Sequence, residues 1–141
     1  MNTHHAETEH AADVLRAKGF RVTRGRVGLL SLLQKSGKPL SIQSLLKAKG
    51  SPDQATLYRT LTDLADAGIV KRVDLNTGVA HFEYTPDRPH HHHIVCTDCG
   101  TIEDIETCSI ESLQRQALRS SGFKTIYSHT VDFFGVCKNC S

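Results

Sequence analysis

The sequence predicts an α+β chain in two parts: an N-terminal winged helix-turn-helix and a small α/β domain behind it. Three observations carry this. Three apolar periodicities of helical type are followed by two β-type runs joined around Asn76-Thr77-Gly78. A short stiff Pro-Asp-Arg-Pro segment then interrupts the pattern, placing a linker at residues 86–89 between parts at 1–85 and 90–141. Beyond it the chain changes character, with a run of histidines, two Cys-x-x-Cys pairs and a single helical pattern.

In the first part, Val27, Leu30 and Leu33 recur at helical spacing, Leu29 widens the stripe, and Gly37-Lys38-Pro39 stops it. Ser41 is placed to cap a short second helix carrying Ile42, Leu45 and Leu46 and ending near Gly50. Ser51-Pro52-Asp53-Gln54 reads as a capping box with proline at the first helical position. The third helix turns Leu57, Leu61 and Leu64 inward and ends at Gly68, leaving Thr56, Tyr58, Arg59, Thr60 and Asp63 on its other faces. IVKRVDL and VAHFEY then form the hairpin, or wing. In the second part, HHHHIVC is strand-like. Ser109 is placed to cap a helix with Ile110, Leu113, Ala117 and Leu118 that ends near Gly122, and TIYSHTVDFFG reads as a closing strand that carries His129.

Composition narrows the class. The chain has 141 residues, 38% hydrophobic and 23% charged, and no apolar run approaches the ~20 residues of a membrane-spanning helix. The opening MNTHHAETEH lacks the apolar stretch of a secretory signal, so a reducing cytoplasmic setting is expected. Five cysteines cannot all pair within one chain, which favours metal binding or redox work over a disulfide scaffold. Net charge is +2 but unevenly spread. Residues 1–85 carry twelve basic against eight acidic groups, residues 86–141 five against seven, and no acid occurs between Asp13 and Asp53. Such a basic stretch suits a solvated surface or a phosphate backbone, and charge alone does not choose between them. The helix order, the acid-free stretch and the Tyr58-Arg59 pair on the third helix together point to a DNA-reading winged helix.

The second part carries the metal chemistry. Cys96-x-x-Cys99 and Cys137-x-x-Cys140 are two thiolate knuckles, and four thiolates brought together make a closed tetrahedral zinc site. A redox dithiol is the competing reading. Neither pair opens a helical pattern, as a thioredoxin-like dithiol would require. Cys108 is left over and reads as a small half-buried residue. On a strand, side chains alternate faces, so His90 and His92 point one way and His91 and His93 the other, offering ligand pairs to two different sites. Other candidate ligands are His81 and Glu83 on the hairpin, Glu103 and Asp104 after the first knuckle, Glu111 and His129.

The segments Ala55-Thr56-Leu57-Tyr58-Arg59-Thr60-Leu61, HHHHIVCTDCG and FFGVCKNC resemble the ferric uptake regulator family, and the likeness runs from about residue 13 to 141. It implies a homodimeric, metal-responsive repressor of transcription, not an enzyme, with a winged helix and a C-terminal α/β dimerisation domain. It implies that Thr56, Tyr58 and Arg59 lie on the helix that meets operator DNA, that Arg21 reaches the neighbouring minor groove, and that Cys96, Cys99, Cys137 and Cys140 hold structural Zn2+.

Two further sites follow from the resemblance. An inner site matches at His90, His92, Glu111 and His129, with His92 where many members carry Asp. A hinge site, usually the sensor, matches at Glu83, His91, His93 and Asp104. Its fifth ligand, a His ahead of the second helix in iron and peroxide sensors, is replaced here by Lys38-Pro39, leaving His81 or one of His4, His5 and His10 as substitutes. No Cys stands near the end of the hairpin, unlike the zinc sensors. The regulatory cation is accordingly Fe2+, Zn2+ or Mn2+, with Glu83 favouring iron or manganese. The alternatives are a constitutive zinc-ribbon DNA-binding module and a Cys-x-x-Cys redox protein.

Overall fold

The computed structural model describes residues 3–86 and 88–141, with side chains from residue 5 onward. The His4 side chain and Asp87 of the linker segment lie outside the described residues. Two compact units divide the chain, residues 1–88 and 89–141.

The first unit opens with a helix that the periodicity argument did not predict, α1 (Thr3–Ala17). Its sequence is mostly polar, but Ala11 and Leu15, one turn apart, are fully buried in the core. Helix α2 (Arg24–Ser36) is capped by Thr23, whose hydroxyl accepts the Arg26 N–H at 3.3 Å, and is closed by Gly37 at a left-handed φ of 62°. Ser41 ends the two-residue strand β1 (Leu40–Ser41) and caps α3 (Ile42–Leu46), accepting the Ser44 N–H at 3.1 Å. Helix α4 (Gln54–Asp66) is the predicted third helix, but its cap is Asp53, two residues beyond the expected Ser51. The Asp53 carboxylate takes the Thr56 N–H at 3.0 Å and its hydroxyl at 2.8 Å, and Pro52 precedes the cap.

Strands β2 (Val70–Val73) and β3 (His81–Tyr84) pair antiparallel, with Val70 opposite Tyr84 and Val73 opposite His81. β1 adds to the other side of β3, giving the order β1-β3-β2. The core draws Leu15 from α1, Leu30 and Leu33 from α2, Leu45 from α3, Leu57, Leu61 and Leu64 from α4, and Phe82 from the wing.

The second unit is a three-stranded sheet ordered β5-β4-β6, built from β4 (His92–Cys96), β5 (Ile102–Ile105) and β6 (Asp132–Gly135), with the helix α5 (Glu111–Arg119). β4 runs antiparallel to β5 and parallel to β6. Two local expectations are corrected. Ser109 does not cap α5: Ile110 occupies the cap position without a side-chain bond. The closing strand is confined to 132–135, so His129 sits on irregular chain ahead of it. Within this unit Val95 and Cys96 are the buried apolar side chains among the described residues, whereas Ile94, Leu113, Phe133, Phe134 and Val136 are exposed. No helix of the described residues is long and apolar enough to cross a membrane.

Candidate metal centres and nucleic-acid face

The four paired cysteines converge. One sulfur from each of Cys96, Cys99, Cys137 and Cys140 lies within 4.8 Å of the others. The Cys99 and Cys137 sulfurs are 3.8 Å apart, and a tetrahedral zinc with bonds of ~2.3 Å separates its sulfurs by ~3.8 Å. Each knuckle is a tight turn: Gly100 N–H bonds Cys96 carbonyl at 2.9 Å, and Cys140 N–H bonds Cys137 carbonyl at 3.0 Å. Amides turned toward the sulfurs favour the thiolate. The N–H of Cys137 donates to Cys96 Sγ at 3.3 Å and, with that of Cys99, holds this thiol down to about 6. The Thr101 hydroxyl, 3.1 Å away, lowers Cys99 as well. Cys140, hydrogen-bonded to Cys137 and Cys99, is pushed up to about 12, as expected where several thiols crowd together and cannot all ionise without a cation. The donor set fits structural zinc.

The histidine run separates onto two faces. On one face, His90 Nε2 lies 3.1 Å from His92 Nε2 and 3.0 Å from His129 Nε2. Protons cannot satisfy three imidazole nitrogens that all point at one another, whereas a cation accepts all three lone pairs. Burial, then the neighbouring His90 and His129, lower the His92 pKa and keep it in the neutral form a metal requires. The fourth member of this cluster is Cys108, its Sγ 3.4 Å from His129 Nε2. Glu111, expected in that place, is instead exposed at the first residue of α5 and outside the cluster. Cys108 is half-buried, as its residue type suggested, but it faces the histidines. Gln114 Nε2–H donates to His129 Nδ1 at 3.1 Å and sets that ring's orientation.

On the other face stand His91 and His93, ring centroids 5.1 Å apart. His91 Nδ1–H donates to the Pro89 carbonyl at 2.9 Å. Sheet register sets carboxylates on both sides of His93: Asp104 is its partner on β5 and Asp132 its partner on β6. Nδ1–H donates to Asp132 at 3.3 Å, and Asp104 Oδ1 lies 3.9 Å from Nε2. Asp132 was not predicted. Only the parallel β4–β6 pairing brings it there, and a sequence read one strand at a time does not contain that pairing.

In the first unit, Glu83 is 1% exposed on β3 and pairs with Arg88 at 3.4 Å. His81, two residues earlier on the same face of the strand, is also buried and donates Nδ1–H to the Val79 carbonyl at 3.1 Å. Lys38 is exposed and Pro39 buried, so that corner offers no imidazole. His10 Nε2 lies 3.3 Å from the Tyr84 hydroxyl, and His5 is exposed on α1.

The candidate nucleic-acid face is also in the first unit. A cavity of about 810 Å³ is bordered by Arg21, Arg24, Arg26, Lys49, Thr56 and Thr60, so cations of the acid-free stretch face one side of α4. Arg59 is exposed, and Tyr58 is half-buried. Tyr58 meets Phe82 edge-on with centroids 6.2 Å apart, and its hydroxyl accepts from Arg72 at 2.6 Å. Arg72 joins this candidate face through a contact from wing to helix that periodicity does not reveal.

Comparison with known proteins decides the class. The model of the ferric uptake regulator family matches residues 17–134. This chain belongs to the ferric uptake regulator family. The ferric uptake regulation protein of Bordetella parapertussis is 34% identical over 131 residues, covering 89% of this chain and 93% of that protein. The ferric uptake regulator of Francisella tularensis, solved with iron, superposes with a TM-score of 0.72 at 36% identity, over 86% of this chain and 95% of that one. The Helicobacter pylori regulator, described with three functional metal-binding sites, gives a TM-score of 0.72 at 25% identity, over 98% of this chain and 93% of that one. The family's members are metal-responsive, DNA-binding regulators of transcription rather than enzymes, and the winged helix and α+β architecture here are theirs.

Proposed function

We propose that this regulator is a cytoplasmic, homodimeric repressor that holds operator DNA when a regulatory cation is bound, and so controls metal homeostasis. The observation that supports it best is the alternation of four histidines along one short segment, which separates two ligand sets. His91, His93 and Asp104 follow the linker and Glu83 precedes it, so together they would hold one Fe2+, Mn2+ or Zn2+ and tie the two parts of the chain at a fixed spacing. His81, two residues before Glu83 on β3, or one of His4, His5 and His10 would substitute for the missing DNA-domain histidine. A cation shifts such an equilibrium only by its differential affinity for the closed arrangement. The inner set, His90, His92 and His129 with Glu111 or Cys108, belongs to the second domain alone. Cys96, Cys99, Cys137 and Cys140 would hold Zn2+ and fold that domain.

Operator contact is assigned to Thr56, Tyr58 and Arg59 on α4, with Arg21 at the adjoining phosphates or minor groove. Ile94 and Phe133, paired neighbours on one face of the sheet, leave an exposed apolar surface that a second copy would cover. Homodimer symmetry then presents two α4 helices to successive major grooves.

The test is metal stoichiometry and operator affinity for two double variants at one metal concentration. His91→Ala with His93→Ala is expected to abolish metal-dependent DNA binding while zinc content and dimer survive. His90→Ala with His92→Ala is expected to lose one cation per chain with a milder effect on DNA. The opposite ranking would move sensing to the inner set. Operator binding indifferent to added metal in the unaltered protein would reduce it to a constitutive zinc-ribbon module.

A further inference from the structure

We infer that Cys108 is the fourth ligand of the inner site, making it a three-imidazole, one-thiolate centre for a tetrahedral, borderline-soft divalent cation of the zinc and cobalt class. This rests on reading the histidine cluster as a metal site and specifies what that site binds. The geometry points there directly. Zinc bonds of ~2.0–2.1 Å to nitrogen and ~2.3 Å to sulfur make tetrahedron edges of ~3.3 Å between nitrogens and ~3.5 Å between nitrogen and sulfur. The observed separations are 3.0 and 3.1 Å between Nε2 atoms and 3.4 Å from Cys108 Sγ to His129 Nε2. No carboxylate belongs to the group of four, and Glu111 is exposed on α5.

Donor chemistry follows from this. Exchanging a hard carboxylate for a thiolate moves a site away from manganese and magnesium and toward zinc, cobalt or copper. Binding releases the Cys108 proton, because the thiolate is the ligand. The inner site is therefore chemically unlike the other face of this domain, where Asp104 and Asp132 set carboxylate oxygen on both sides of His93.

The experiment uses the full-length dimer with its four-cysteine site loaded with zinc, titrated with Co2+ in the absence of DNA. Cobalt bound by a thiolate shows a sulfur-to-metal charge-transfer band in the near ultraviolet, and the hinge set contains no sulfur. The expected result is one such band per chain in the unaltered protein, while metal analysis shows the zinc retained. The band should be absent in Cys108→Ser, with cobalt affinity of that site down by more than the about 10–100-fold typical of losing an orienting contact. Glu111→Gln should keep both band and affinity. Alkylation of native Cys108, followed by peptide mass, is expected to be blocked by Co2+ or Zn2+, a measurement that needs no variant. Cobalt that binds without the band, or is lost in Glu111→Gln and kept in Cys108→Ser, overturns the thiolate assignment alone. Failure of the His90→Ala, His92→Ala protein to lose any cobalt overturns the inner site itself.

Discussion

Stripping the four-cysteine site should unfold the second domain and leave the first standing. Among the described residues of 89–141, the buried apolar side chains are Val95 and Cys96, and α5 buries none. A fully buried valine contributes roughly 1.5–3 kcal/mol, so such a core cannot offset the ordering of some fifty residues, each costing about 1–2 kcal/mol in backbone entropy alone. A zinc bound by four thiolates contributes on the order of 10 kcal/mol in small zinc domains. The first unit, by contrast, holds Leu15, Leu30, Leu57, Leu61 and Leu64 at 0–1% exposure. Cys137→Ala, or a chelator strong enough to remove zinc, should therefore collapse amide protection in strands 92–96, 102–105 and 132–135 while α4 stays protected. Amide hydrogen exchange read by mass spectrometry resolves the two regions, and size exclusion should show the dimer falling to monomers. Full protection of the three strands, with zinc shown absent by metal analysis, would refute the argument that metal rather than packing holds this domain.

The DNA face and the first core give further tests. Arg59→Ala should weaken operator binding by about 1–3 kcal/mol if it meets a base, and Arg21→Ala should flatten the salt dependence; unchanged affinity and slope in both would remove α4 from the interface. Leu61→Ala, fully buried in the first core, should cost about 2–5 kcal/mol and lower the melting of residues 1–88 without releasing zinc, which paired calorimetry and metal analysis can check. Bonds from Thr56 lower the Asp53 pKa below the ordinary carboxylate value. Its capping contribution is therefore present above the unfolded-state pKa and is lost as pH falls through the lowered folded-state value. Asp53→Asn, which caps without a charge, should remove that acid-dependent part of the first domain's melting, and an identical pH profile in both proteins would count against it.

What the sequence made legible was mostly local. Leu57, Leu61 and Leu64 mark α4 because a stripe at helical spacing needs no tertiary information, and the separation of His90 and His92 from His91 and His93 follows from the two-residue period of extended chain. What escaped depends on distant partners. α1 hides its core contact in two small or isolated apolar positions, Ala11 and Leu15, within THHAETEHAADVLRA. The cap of α4 shifted from Ser51 to Asp53 because only the carboxylate reaches the Thr56 amide. Glu111 entered the inner set by resemblance, and a carboxylate in a first helical turn, favoured there by the helix dipole in any case, says nothing of which way its side chain faces; Cys108, read as a small half-buried residue, instead lies beside His129. Asp132 and Arg72 gain their roles through strand pairing and through a contact between helix and wing.

The bond between wing and helix has a consequence for recognition. Arg72 donates to the Tyr58 hydroxyl at 2.6 Å with its guanidinium 5.8 Å above the same ring, and Phe82 closes the ring's edge. A free tyrosine or arginine samples several rotamers, and freezing such a side chain on association costs about 0.5–1.5 kcal/mol. Here the bond and the ring contact restrain both within the folded domain, so that, on the proposed assignment of Tyr58 to the operator contact, part of that entropy is lost during folding and not at the encounter with DNA. On that proposed assignment the wing would act as a splint that lends Tyr58 one orientation in advance, and changes at position 72 should loosen recognition even though they leave α4 itself untouched.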